Sequence, residues 1–169
     1  MLFLTVPVAA ESTVALRFSG AVSLPISSHV SKYLKTGIGG GAAVLIKQNF
    51  WPLTMQLSTG YISYGLTDLE GISFSLVPLT IGLLYKLPFT LLKKSKLFIY
   101  AESGISWEIL RSKSETNHNT AFTAGIGTRF IYQLSNGFDT GLSIQYNMLT
   151  ETGETASFLT FILSFDVRL

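Results

Sequence analysis

The chain contains no cysteine, which removes disulfide frameworks, thiolate metal sites and cysteine nucleophiles together. Charge is scarce as well: Asp, Glu, Lys and Arg make up 13% of the 169 residues, against 47% apolar ones. That is greasy for a protein bathed only in water, so part of the surface is expected to face another phase. The net charge is only +2, and Lys and Arg are scattered. No basic stripe points to a nucleic-acid partner and no acidic tail to a solvating arm. Nor is there a long unbroken apolar run. The best stretch for a membrane helix, Leu76 to Leu92, is interrupted by Pro78, Gly82, Lys86 and Pro88, whereas a spanning helix needs about 20 mostly apolar residues.

What the chain has instead is alternation. From Leu159 to Leu169 the residues Leu159, Phe161, Leu163, Phe165, Val167 and Leu169 fall on one face and Thr160, Ser164, Asp166 and Arg168 on the other, with Ile162 the exception. A strand that sends large apolar side chains one way and charges the other lies between an oily and a wet phase. Similar segments recur: Thr13 to Leu24, about Gly37 to Ile46, a third from Leu53, a fourth from about Ile72, a fifth from Leu97, a sixth around Phe122 to Gln133 and a seventh from Phe138. In the fourth the apolar phase changes beside Pro78, which predicts a bulge. Eight strands of this length suit a closed antiparallel up-and-down transmembrane β-barrel, apolar outside and polar inside.

Side-chain parity constrains the pairing, because opposed residues in an antiparallel ladder share a face. For the sixth and seventh strands it favours closing Leu134 onto Phe138 through Ser135, Asn136 and Gly137, with Gly137 in the left-handed conformation. For the fifth and sixth it allows a register that sets Glu102 opposite Arg129. The outer loops then fall near residues 25–36, 65–71, 110–119 and 149–155. The inner ones fall near 47–52, 86–96 and 135–137. Trp51, Tyr85, Tyr132 and Phe138 are candidates for an aromatic girdle at one interface, and Tyr61, Trp107 and Tyr146 at the other. The opening Met1 to Ala10 reads as the end of a secretory signal, with Val8 and Ala10 before a cut ahead of Glu11. The barrel domain is therefore expected over 11–169.

Val77-Pro78-Leu79-Thr80-Ile81-Gly82-Leu83-Leu84-Tyr85, Phe98-Ile99-Tyr100-Ala101-Glu102-Ser103-Gly104, Ala124-Gly125-Ile126-Gly127 and the alternating final strand resemble the small outer-membrane β-barrel family, the eight-stranded A, X and W types. The resemblance implies an outer-membrane location, contact with outer-membrane lipid and lipopolysaccharide, passage through a barrel-assembly machinery, and a monomer. Members of that family commonly end in an aromatic residue, where this sequence has Leu169.

Arg17, Glu102, Glu108, Arg129, Asp166 and Arg168 all project inward on this reading. A narrow eight-stranded lumen is filled by side chains, so they are expected to form a structural plug of paired charges, with Glu102 and Arg129 as the central pair. Some related barrels are lipid A deacylases, whose His and Ser lie one residue apart near the end of the seventh strand. Here Tyr146-Asn147-Met148-Leu149-Thr150 stands there, and His29-Val30-Ser31 falls in the first loop. His29 and His118 read as solvated loop residues, and no catalytic residue is assigned. Gly37-Ile38-Gly39-Gly40-Gly41-Ala42 superficially fits a dinucleotide fingerprint but no helix follows it. No metal-ligand spacing is present and no cofactor is expected. The sequence thus points to a non-enzymatic envelope or surface-interaction role. The alternatives are a narrow pore, a lipid A-modifying enzyme, and a soluble ligand-binding barrel with the two faces exchanged.

Overall fold

A computed structural model describes residues 12–67, 72–88, 91–112, 115–151 and 154–169. The expected signal remnant at 1–10 and the residues Asp68, Glu70 and Gly71 lie outside them. The chain forms β1 (Ser12–Pro25), β2 (Leu34–Gln48), β3 (Leu53–Leu66), β4 (Ser73–Lys86), β5 (Ser95–Arg111), β6 (Thr116–Gln133), β7 (Phe138–Glu151) and β8 (Glu154–Arg168). Each strand pairs antiparallel with its sequence neighbours, and β1 pairs with β8 to close the barrel. Closure satisfies the backbone within the protein, which is what allows strands to cross a hydrocarbon layer. The stretch from Leu76 belongs to β4, and no helix among the described residues is long and apolar enough to cross a membrane.

The two faces separate as the alternation predicts. Ile38, Ile81, Ile126, Leu142 and Leu163 are between 60% and 69% exposed on the outside, while Arg17, Asp166 and Arg129 inside are 6%, 5% and 2% exposed. A barrel built for water would carry the reverse distribution, so the soluble ligand-binding reading is set aside. Trp51, Tyr85, Tyr132 and Phe138 are exposed near the end that holds the chain termini, with Phe138 stacked on Phe165 at 5.5 Å. Tyr61, Trp107 and Tyr146 are exposed in the opposite half.

The β6–β7 register is the predicted one: the Leu134 amide donates to the Phe138 carbonyl at 3.0 Å. Gly137 does not take the left-handed conformation expected of it. Bonds from Leu134 and Ser135 to the Phe138 carbonyl and from Phe138 back to Ser135 shape the turn without it. The non-glycine residue with positive φ among those described is Lys94, at 71°.

Three expectations are corrected. Glu102 stands opposite Gly125, and Arg129 opposite Phe98. The alternation fixes parity but leaves registers two residues apart equally acceptable; the ladder found runs on to the Arg111–Thr116 rung, beyond which the Ser112 amide donates to the Glu115 carbonyl at 2.9 Å. Consequently Thr116 to Asn119, read as loop, continues the ladder from Arg111–Thr116 to Glu108–Asn119. Finally, β4 has no bulge at Pro78: its register against β3 and β5 is the same on both sides. The apolar phase changes because Phe74 and Leu76 point inward, where Leu76 joins Tyr64, Ala121, Leu149 and Phe158 in a buried cluster packed against Phe74. The polar lumen therefore carries an apolar plug at its outer end. A smaller cluster of Leu45, Leu84 and Tyr100 lies toward the other end.

Candidate functional site

The inward faces of six strands build one polar network. Arg17 on β1 faces Asp166 on β8 across the closing seam, and its Nε donates to Asp166 Oδ1 at 3.0 Å. Arg129 on β6 is two strands from β8, yet its Nη2 donates to both Asp166 oxygens, at 2.9 and 3.0 Å, and to Ser164 Oγ at 2.7 Å. It passes over Gly141 of β7, where any side chain would stand in its way. One carboxylate thus holds two buried guanidinium groups.

Glu102 has a different role from the one expected. No ion pair joins it to Arg129 among the described residues; its oxygens accept from Gln56 Nε2 at 3.2 Å and from Gln145 Nε2. Arg17 Nη1 donates to Gln56 Oε1, and the Tyr100 hydroxyl donates to Gln145 Oε1 at 3.1 Å. The glutamines carry the network around the wall from the arginine pair to Glu102. Glu102 is only half-buried and borders the lumen cavity, and the two amides fix its carboxylate there.

Two of the six candidate residues stand apart. Arg168 pairs with Asp139 at 2.6 Å near the inner rim, where its side chain keeps partial contact with solvent. Glu108 stands at the outer mouth and accepts from Asn119 Nδ2 at 3.3 Å. The structure therefore assembles Arg17, Glu102, Arg129 and Asp166 and leaves Arg168 and Glu108 at opposite ends. Sequence reasoning did not single out Gln56, Tyr100, Gln145 and Ser164 as network members. Their inward parity was the available signal, but parity does not say how far around the wall a side chain reaches.

Above the charged layer lies a cavity of about 140 Å³, bordered by hydroxyls such as Ser58 and Thr80, which bond each other at 2.7 Å. Arg17 Nη2 and Arg129 Nε, without partners among the described residues, belong to side chains on this cavity. At its outer end the Tyr64 hydroxyl donates to Ser23 Oγ at 2.8 Å beneath the apolar plug. Of the histidines, His29 lies in the first outer turn, where Nε2 donates to the Thr155 carbonyl at 3.1 Å. His118 sits in the β6 ladder opposite Ile109. The glycine run Gly37 to Ala42 is barrel wall.

Comparison with solved structures decides the architecture. Neisserial surface protein A superposes with a TM-score of 0.69 at 13% identity, over 92% of this chain and 97% of that one. The fold is that of the small outer-membrane β-barrels. A major outer membrane protein from Thermus thermophilus gives a TM-score of 0.59 at 14% identity, over 94% and 100% of the two chains. The attachment invasion locus protein Ail of Yersinia pestis gives 0.55 at 12% identity, over 94% and 97%. No protein-family model matches this sequence, and no curated protein does. The small outer-membrane barrel is thus recognisable here by pattern and shape across sequences that share few residues.

Proposed function

We propose that this protein is an integral outer-membrane barrel of a double-membraned bacterium, with a non-enzymatic role in envelope structure or surface interaction. It sits as a monomer among outer-membrane lipids. The observation that supports this most directly is the filled lumen. Arg129 is 2% exposed and Tyr64 and Leu84 are each 1% exposed, so the charged layer and the apolar layers near both ends each hold a large side chain packed away from solvent. A conducting aqueous path would leave such groups wet. What remains available to other molecules is the outer surface, formed by the strand ends and the turns between them.

Two measurements test the reading. In planar bilayers the folded protein is expected to show no conductance steps; regular steps would favour the pore. Because the chain lacks cysteine, Ser31→Cys and Lys94→Cys report orientation without background. In intact cells a membrane-impermeant maleimide should label the first and spare the second. The opposite pattern would invert the barrel, and labelling of neither would remove the protein from the cell surface.

A further inference from the structure

In the lumen one anion serves two cations. Arg17 Nε and Arg129 Nη2 both donate to Asp166 Oδ1, at 3.0 and 2.9 Å, so the two guanidinium groups meet on a single oxygen. Each guanidinium carries five N–H donors and no acceptor. Arg17 Nη1 also donates to Gln56 Oε1, and Arg129 Nη2 to Asp166 Oδ2 and Ser164 Oγ. Arg17 Nη2 and Arg129 Nε have no partner among the described residues, although both side chains are more than nine-tenths buried. The second carboxylate of the network does not make up the shortfall, because Glu102 accepts from the amides of Gln56 and Gln145.

Both arginines border the lumen cavity, whose volume of about 140 Å³ exceeds what a single water needs. The space exists because Ser19 and Ala21 on β1, Gly41 on β2 and Gly60 on β3 put little or nothing into it. An excess of donors therefore stands beside room for an acceptor. Buried donors left unpartnered are costly, and a charged acceptor compensates them more strongly than a neutral one. Water would bring two hydrogens that need acceptors of their own, whereas an oxyanion brings lone pairs alone.

We infer that the lumen cavity binds a small planar oxyanion, of the size of formate or nitrate, against the unpartnered N–H groups of Arg17 and Arg129. A guanidinium is planar and presents its donors as a fork, which matches two oxygens in one plane better than a spherical ion. Glu102, on the same cavity, opposes the anion and limits its affinity. The site goes beyond the surface-interaction reading, and it holds whichever end of the barrel faces outward.

The full chain is folded from urea into detergent micelles at neutral pH in the presence of each probe, so that passage through the two apolar layers is not limiting. The probes are sodium formate, its neutral analogue formamide, and sodium chloride at equal ionic strength. NMR follows the Nε–H signals of Arg17 and Arg129. Formate should shift both saturably, and its C–H proton should show nuclear Overhauser contacts to cavity side chains; formamide and chloride should do neither. Glu102→Gln removes the opposing charge and should bind formate about tenfold more tightly. Ser19→Leu, which fills the space beside Arg17, should weaken formate binding about tenfold or more. Shifts as large with formamide or chloride, a formate response confined to Arg168 at the inner rim, or a Glu102→Gln protein that binds formate no better would each overturn the inference. Should Ser19→Leu fail to fold, the parent and Glu102→Gln still decide.

Discussion

Gly141 lies beneath the guanidinium of Arg129: a Cβ built there stands 3.1 Å from Nη2 and 3.1 Å from the Phe130 carbonyl oxygen. A side chain at that point on β7 would press on the route by which Arg129 reaches Asp166. Gly141→Ala is therefore expected to lower stability by about 1 to 3 kcal/mol, as overpacking does, despite the entropy it removes from the unfolded chain. Urea unfolding in detergent micelles or vesicles measures it, and unchanged stability would show that the arginine has another route.

The Asp166 carboxylate is the single anion shared by two buried cations. Asp166→Asn keeps the shape and strands both charges, so the expected loss is about 3 to 5 kcal/mol. Asp139→Asn removes the partner of Arg168 near the inner rim, where water is at hand, and should cost about 1 kcal/mol or less. The same unfolding assay compares them. Equal losses would mean that burial does not distinguish the pairs.

Gly104 and Gly20 separate the two sides of the wall. At Gly104 a Cβ would fall onto the Leu79 carbonyl oxygen of β4, whereas at Gly20 it would meet nothing. Gly104→Ala should prevent or severely slow folding into vesicles and Gly20→Ala should fold as the parent does. Heat-modifiable mobility in gels reads the folded fraction.

Ile144 is half exposed on the outside, on a rung shared with Phe161. Arg at either position near the middle of the bilayer is expected to cost about 2 to 4 kcal/mol. Equal folding yields of parent and variant in lipid vesicles would place those residues elsewhere than against acyl chains.

How far these features were legible from residues alone depended on what each pattern encodes. Alternation reports a phase boundary, so the outer face of every strand except the first half of β4, the barrel class and the β6–β7 register through the Leu134–Phe138 turn could be read directly. It does not report which of several registers of equal parity is used. That is why Glu102 was paired with Arg129, while the actual partner, Asp166, lies two strands away across Gly141. Pattern reasoning also assumed a uniformly polar lumen. Phe74, Leu76, Tyr64 and Phe158 break that rule together, and the phase change they cause near Pro78 looks like a bulge until their common location is known. The acidic outer mouth escaped notice for a related reason: Glu108 on β5 is far in the chain from the hairpin end that carries Glu151 and Glu154, and they come together only there.

The Arg17–Asp166 rung has a consequence for biogenesis, because it joins the earliest described strand to the latest. Arg17 has no carboxylate to lean on until β8 arrives, and Arg129 awaits the same group. A half-built sheet is left with two bare guanidiniums facing what will become its interior. The latch that finishes the cylinder is also the step that quenches them, so partial assemblies gain little and completion is favoured as a single event.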